Sequence, residues 1–393
     1  MRTVRNIKEL KENNARRILN QIRVERAVIK SSLARTLNLS FATISNICSE
    51  LAENGFILIE ETAESTGGRK PVTVRFNPTA KYILAFDFGD ALSFEMSLID
   101  LDYNIIKHQE ISLSKISSLE PVLELIHKTY TQFLSESNIP ATKVIGAGAA
   151  VPGFVDKKKN MVVLSSNELF NNVYLKEKLE DLLSMPVSVE NDADMAALYQ
   201  SISFNKKMQN LLFLHFSRGI TLGMIIDGKI YRGAGGLSGE IGHISISDNR
   251  TVCECGKTGC FEAAASLPNM LKMYYKNKYS KDEILNDFVK LLNSFIENYK
   301  ENEKEAVKVV DTVSRAIGVV IGLLIDILNP QMVALGGSLT PLFKLSIKDI
   351  REHARESSSI AKNMKTDIVN VVDEKFGITR GCGEVVFQDW LLK

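Results

Sequence analysis

At 393 residues, with 45% hydrophobic and 24% charged residues, the chain has an ordinary globular composition and room for about two or three domains, which excludes a wholly disordered polymer. The net charge is only +1, yet the first 81 residues hold 14 Lys and Arg against 8 Asp and Glu, an excess of +6, while the remainder carries −5. The longest apolar run, residues 316–328, is too short and too interrupted by Gly and Asp326 to span a bilayer. The start Met1-Arg2-Thr3-Val4 lacks the apolar core of a signal peptide, so a cytoplasmic chain is expected, with no membrane attachment and reduced cysteines. A basic N-terminal segment suits a polyanion, because each neutralised phosphate releases counterions; a solvated charge run is the plainer alternative.

In chain order, Ile18, Leu19 and Ile22 predict an amphipathic helix from about Asn13, and Leu33, Ala34 and Leu37 a second short one. Asn38 suits the left-handed end of that helix and Ser40 the N-cap of the next. The third helix turns Ile44, Ile47 and Leu51 inward and stops at Gly55. Its other face carries Ala42, Thr43, Ser45, Asn46 and Ser49, small uncharged side chains that allow close approach to base edges. Two alternating segments, 56–60 and 72–76, supply a two-stranded wing, making the unit a winged helix-turn-helix. Between them Gly67-Gly68-Arg69-Lys70-Pro71 is slim and basic, and Arg69 and Lys70 suit a narrow minor groove; a solvated turn is the alternative. Such a unit can also bind protein alone.

Beyond Asn77 the composition changes to strands interleaved with long helices, an α/β body. Strand segments are read at 82–90, 96–100, 144–156, 187–194, 211–216, 223–228 and 331–338, and a long helix over 304–328. Within the body, Cys253-Glu254-Cys255 and Cys260 place three of the five cysteines in eight residues, with His243 ten residues upstream. Three thiolates and an imidazole complete a tetrahedral sphere, with no open position for a catalytic water. His243, Cys253, Cys255 and Cys260 are therefore expected to hold a structural Zn²⁺ that shapes a loop presenting Glu240, His243 and Glu262. Cys48 and Cys382 read as ordinary buried thiols.

The stretches 189–197 (Val-Glu-Asn-Asp-Ala-Asp-Met-Ala-Ala), 233–243 (Gly-Ala-Gly-Gly-Leu-Ser-Gly-Glu-Ile-Gly-His), Cys253 to Glu262, Ala334-Leu335-Gly336-Gly337 and the Gly-Gly-Arg-Lys-Pro segment occur in one order. Together they resemble the ROK family, named for its repressors, open reading frames and sugar kinases, over nearly the entire chain. The resemblance implies a winged helix-turn-helix over residues 1–80. Residues 81–393 would form a two-lobed, actin-like sugar-kinase (ribonuclease H-like) body with its ligand between the lobes. Carried over position by position, it implies that Asn191, Asp192, Glu240, His243 and Glu262 bind sugar hydroxyls, with Pro152 and Gly153 backing the pocket. Asp192 and Asp194 could instead cap the helix that follows the strand.

A kinase of this family uses the Asp192 position as general base and cradles ATP with two glycine-rich loops. Where those kinases read Asp-x-Gly-Gly-Thr, this chain reads Asp87-Phe88-Gly89-Asp90-Ala91. Like charges about 4 Å apart repel by about 4 kcal/mol at an effective dielectric of about 20, which opposes a bound triphosphate. The second loop is Ser217-Arg218-Gly219-Ile220-Thr221-Leu222-Gly223, where side chains fill space that backbone amides need near phosphate. The expectation is a repressor of carbohydrate genes without catalytic residues, which binds a sugar effector but does not phosphorylate it. As a homodimer or homotetramer it would sit on a palindromic operator within the nucleoid. The alternative is a hexose kinase with an appended DNA-binding domain.

Overall fold

The computed structural model describes residues 2–61, 72–89, 92–114, 116–203, 208–246, 251–276, 278–360, 365–371 and 374–391. Arg69, Lys70, Asp90 and Ala91, all singled out above, lie outside the described residues. The chain begins with α1 (Arg2–Glu25), longer than the predicted helix, then β1 (Ala27–Ile29), α2 (Lys30–Leu37) and α3 (Phe41–Glu53). Asn38 ends α2 with φ 53°, and the Ser40 hydroxyl accepts from the Thr43 amide at 3.1 Å, so the turn forms as its residues dictate. Strands β2 (Ile57–Glu61) and β3 (Val72–Phe76) make the wing, and β1 pairs with β3, so the sheet has three strands in the order β1-β3-β2. The third strand went unpredicted because three residues are too few for an alternation signal.

The first lobe contains β4 (Tyr82–Asp87), β5 (Ser93–Asp100), β6 (Ile105–Ser112), α4 (Leu119–Ser137), β7 (Val144–Val151), β8 (Gly153–Asp156), β9 (Met161–Ser165), α5 (Leu175–Leu183) and β10 (Val187–Asn191). Its sheet runs β10-β7-β4-β5-β6: an antiparallel meander extended by two parallel strands. A helix, α6 (Asp192–Ser203), leads to the second lobe with β11 (Leu211–Phe216), β12 (Ile220–Ile226) and β13 (Lys229–Ile230). Five helices follow: α7 (Phe261–Ala265), α8 (Leu267–Tyr274), α9 (Lys281–Asn286), α10 (Phe288–Lys300) and α11 (Lys304–Leu328). The chain closes with β14 (Met332–Gly337), α12 (Thr340–Ser357), β15 (Asp367–Asn370) and α13 (Gly377–Leu391). The second sheet runs β13-β12-β11-β14-β15, with the same order and polarity as the first.

Each sheet's last strand feeds a helix that leaves its own lobe. From β10, α6 packs on β11 and β12, while from β15, α13 packs on β4 and β7, and the two helices lie against each other. The lobes have separate apolar cores, one around Phe86, Phe88, Phe94 and Phe170, the other around Phe216, Phe261, Phe295 and Phe343. Burying one such ring fully contributes ~1.5–3 kcal/mol. A third core belongs to both the winged helix and the body: Ile18, Ile22, Ile47 and Phe56 share it with Ile83, Ile99, Val386 and Phe387.

Candidate functional site

Around the predicted metal cluster, η-type turn residues 241–243 bring His243 beside the hairpin that carries the cysteines. The ligand atoms of His243, Cys253, Cys255 and Cys260 all lie within 4.8 Å of one another. Cys255 Sγ and Cys260 Sγ are 3.7 Å apart, and His243 Nδ1 is 3.7 Å from Cys253 Sγ. A tetrahedral Zn²⁺ with Zn–S of about 2.3 Å and Zn–N of about 2.0–2.1 Å needs edges of about 3.8 Å and about 3.6 Å, so the donor set fits such an ion. The arrangement turns His243 Nδ1 toward the thiols and leaves Nε2 on the other side of the ring.

Glu262 stands in the first turn of α7, next to this cluster. Its Oε2 accepts from the Ile220 amide at 3.1 Å, and its Oε1 is 3.9 Å from Cys253 Sγ. The carboxylate passes so close to Gly219 that a Cβ there would lie 2.4 Å from Oε2 and would displace it from its present position. Glu240 is exposed as a residue, but its carboxyl is partly screened from water by its neighbours. Withdrawal of water pushes its carboxyl up from the ordinary range, His243 opposes that, and the charges of Glu262 and Asp192 add to it.

Asp192, 3% exposed, opens α6. Its Oδ1 accepts from the Ala193 amide at 2.8 Å, its Oδ2 lies 4.0 Å from His215 Nε2, and burial pushes its pKa up. The helix cap falls to neither candidate aspartate. Asn191 Oδ1 accepts from the Asp194 amide at 3.1 Å, while Asn191 Nδ2 donates to Gly153 O at 2.9 Å, tying the start of α6 to the Pro152-Gly153 corner. Asp194 instead joins a network beneath the site: burial pushes it up to about 7, with Arg232 opposing and Glu190 and Asp192 adding. Arg232 Nη2 binds Glu190 Oε2 at 2.9 Å, and Lys157 pairs with Glu190 Oε1. The residues singled out from the sequence fall into two connected groups, Gly153 with Asn191 and Asp192, and Glu240 with His243 and Glu262, and Asp192 is close enough to Glu240 to act on its carboxyl.

The neighbouring half of the cleft is a cavity of about 300 Å³ lined by Asp87, Glu95, Glu110, His215, Ser217 and Arg218, among others. Asp87 pairs with Glu95 across β4 and β5, and Glu95 with Glu110 across β5 and β6, so three carboxylates form a row across the sheet. Cross-strand neighbours stand on one face about 4.5–5.5 Å apart, and like charges so placed are unfavourable. Burial and then Glu110 push the Glu95 carboxyl up, against Lys375. Around the second loop, the Ser217 hydroxyl takes the Arg218 amide, one of the backbone donors a phosphate cradle uses. Gly337 has φ 95°, and a Cβ on it would meet Phe216 O at 2.0 Å, so the Gly336-Gly337 pair answers to strand packing.

On the winged helix, Ala42 and Asn46 are exposed on α3, Thr43 and Ser45 half-buried. The Thr43 hydroxyl is 2.8 Å from that of Ser40, and Ser49 Oγ donates to Ser45 O at 3.0 Å, so Ala42 and Asn46 present the open part of the face. Ile44, Ile47 and Cys48 are buried behind it, with Leu51 only half-buried.

The sequence pattern of the ROK family matches residues 84–383. The chain belongs to the ROK family. Its ROK relatives include the xylose repressor of Caldicellulosiruptor bescii, 27% identical over 398 residues with 97% of each chain covered. The xylose repressor of Bacillus spizizenii is 30% identical, covering 67% of this chain and 68% of its own. A solved ROK family transcriptional regulator, a homologue of the E. coli MLC protein, superposes with a TM-score of 0.80 at 20% identity over 98% of both chains. A ROK glucokinase from Streptomyces griseus, in complex with glucose and AMPPNP, superposes with a TM-score of 0.65 at 20% identity over 78% of this chain and 99% of that one. These two structures establish the ROK fold.

Two features of this ROK site escaped the sequence reading. His215, the partner of Asp192, is a single polar residue in the apolar strand Leu211–Phe216; that exception to an otherwise buried run was the available signal. The Lys157–Glu190–Arg232 network joins residues distant in sequence and leaves no periodic trace.

Proposed function

We propose that this chain is a sugar-responsive transcriptional repressor whose kinase-like body binds a sugar without phosphorylating it. The observation that carries the reading is the contrast between the halves of the cleft. Asp192, Glu240, His243 and Glu262 offer acceptors and an imidazole suited to vicinal hydroxyls, whereas the adjoining cavity adds Glu95 and Glu110 to the Asp87 that the kinases share, with Arg218 as its cation, an acidic wall that disfavours a triphosphate. Asn191, Pro152 and Gly153 complete the sugar side. Zn²⁺ held by His243, Cys253, Cys255 and Cys260 fixes the direction of the imidazole, so that its free nitrogen meets the ligand. Relatives named as xylose repressors make xylose the first sugar to test.

In this reading residues 1–80 read DNA and 81–393 sense the effector. Ala42, Thr43, Ser45 and Asn46 meet base edges in the major groove, and Arg69 and Lys70 of the wing reach the minor groove. A homodimer or homotetramer places two winged helices on a palindromic operator, in the cytoplasm and on the nucleoid. Isothermal titration with ATP and with a panel of sugars tests it: a sugar that binds, with no measurable ATP affinity, is expected. One observation favours a second reading. Asp192, at the position of a kinase base, has its pKa raised by burial, against the pull of His215. ATP-dependent phosphorylation of a hexose in the panel would establish a hexose kinase with an appended DNA-binding domain, and of xylose a pentose kinase.

A further inference from the structure

We propose that α13 carries the state of the sugar cleft to the winged helix, and that a buried clasp of Arg23, Tyr103 and Glu384 is the joint where it does so; the inference rests on the sugar-sensing reading above. The path begins at Asp192, in the first turn of α6. Because α6 packs mainly on the second sheet, α13 on the first, and the two on each other, a movement of one lobe against the other bears on the contact between α6 and α13. That contact has no side-chain slack: a Cβ on Gly381 would stand 2.0 Å from Met195 O, so the two backbones touch. Close-packed elements transmit a displacement rather than absorb it.

The far end of α13 enters the winged helix. Val386 and Phe387 are buried in the same cluster as Ile18, Ile22 and Ile47, and the Trp390 ring lies 5.1 Å from that of Phe56. Apolar contacts of this kind are non-directional and tolerate a range of placements. The clasp does not. Arg23 comes from α1, Tyr103 from the turn between β5 and β6, and Glu384 from α13. Arg23 Nη2 meets Glu384 Oε2 at 3.0 Å, the Tyr103 hydroxyl donates to the same oxygen, and Arg23 Nη1 donates to the Tyr103 hydroxyl. The guanidinium also stacks over Phe387, 4.6 Å from the ring centre.

The Arg23 and Glu384 side chains are only 11% and 7% exposed. Burial pushes the Glu384 carboxyl up, but Arg23, Tyr103 and Gln388 outweigh it and hold the carboxyl below its ordinary range. A buried pair of this kind adds little stability over apolar packing, yet breaking it strands a charge away from water. Its physical effect is therefore to select one orientation of α1 against α13. A shift of α13 driven from the sugar cleft forces α1, and with it α3, to follow or to lose the clasp.

The test measures operator affinity by fluorescence anisotropy, with and without whichever of xylose, glucose and N-acetylglucosamine raises the melting temperature of the wild type. In the wild type the sugar should change operator Kd by about 10-fold or more. Glu384→Gln and Tyr103→Phe should each keep the sugar affinity and the sugar-free operator affinity within about threefold, while the sugar-dependent ratio falls toward one. Should Glu384→Gln fail to fold, Tyr103→Phe, which removes one hydroxyl and keeps the ion pair, decides the matter. A ratio unchanged in the folded variants, whatever their melting temperature, overturns the clasp as the joint. A wild type whose operator binding responds to none of the sugars sinks the sensing reading and this inference together.

Discussion

Glu262 reaches both the Ile220 amide and the edge of the cysteine cluster because glycine at 219 leaves its carboxylate room. Glu262→Gln keeps the shape and one acceptor but turns the other end of the group into a donor. Hydrogen bonds to charged groups are worth about 1.5–3 kcal/mol, so sugar affinity by isothermal titration should fall about 10- to 150-fold with the melting temperature nearly unchanged. Asp194 makes a different prediction. Its folded-state pKa of about 7 lies above its unfolded value, so the folded chain holds this proton more tightly. The resulting stability is fully present below the unfolded pKa of about 4 and is lost as pH rises through about 7. Asp194→Asn should flatten the dependence of melting temperature on pH across that window, and an unaltered slope would rule this carboxyl out as its source. The motifs singled out Glu240, His243 and Glu262, and the fold brings the three near one another. The role of Asp194 was not legible, because nothing in Asn191-Asp192-Ala193-Asp194 says that the Asn191 amide takes the cap and leaves Asp194 facing Glu190 and Arg232.

Ser40 illustrates the element scale, where most of the sequence reading held. Its hydroxyl satisfies the Thr43 amide, one of the donors that the first turn of α3 cannot pair internally. Ser40→Ala should cost about 1 kcal/mol of stability. It should also weaken operator binding, since the same cap holds the Thr43 hydroxyl on the exposed face; an operator affinity equal to wild type would remove that coupling. Helices α3 and α11 were readable because their apolar positions recur with a helical period and their ends carry strong punctuation, Ser40 and Gly55 for the first, Asn329 and Pro330 for the second. What pairs with what was less readable. The duplicated sheet order and the exchange of α6 and α13 between lobes depend on contacts between segments nearly two hundred residues apart, and local periodicity carries no information about them.

At the scale of the whole molecule, the group of His243, Cys253, Cys255 and Cys260 and the winged helix sit in different cores. Cys253 and Cys260 pack with Ala263 at the start of α7, whereas α1, α2 and α3 share their core with β4, β5 and α13. If this group holds the proposed Zn²⁺, removing the ion should act on one function and spare the other. Without it, the thiols of Cys253, Cys255 and Cys260 have no common partner, the hairpin that carries them loses its main constraint, and His243 loses the contact that sets its ring direction. Glu262 lies two residues beyond Cys260, so the proposed second-lobe side of the sugar site would loosen as a unit. A high-affinity chelator should lower the melting temperature and weaken sugar binding at least 10-fold, a size in keeping with the 10–100-fold effects of disturbing a metal's supporting shell. Operator binding in the absence of sugar should stay within about twofold at matched ionic strength, because phosphate contacts make any shift in salt look like a change in affinity. Equal loss of both activities would mean that the chelated chain unfolds globally, and the metal would then hold the whole molecule together rather than one wall of its cleft.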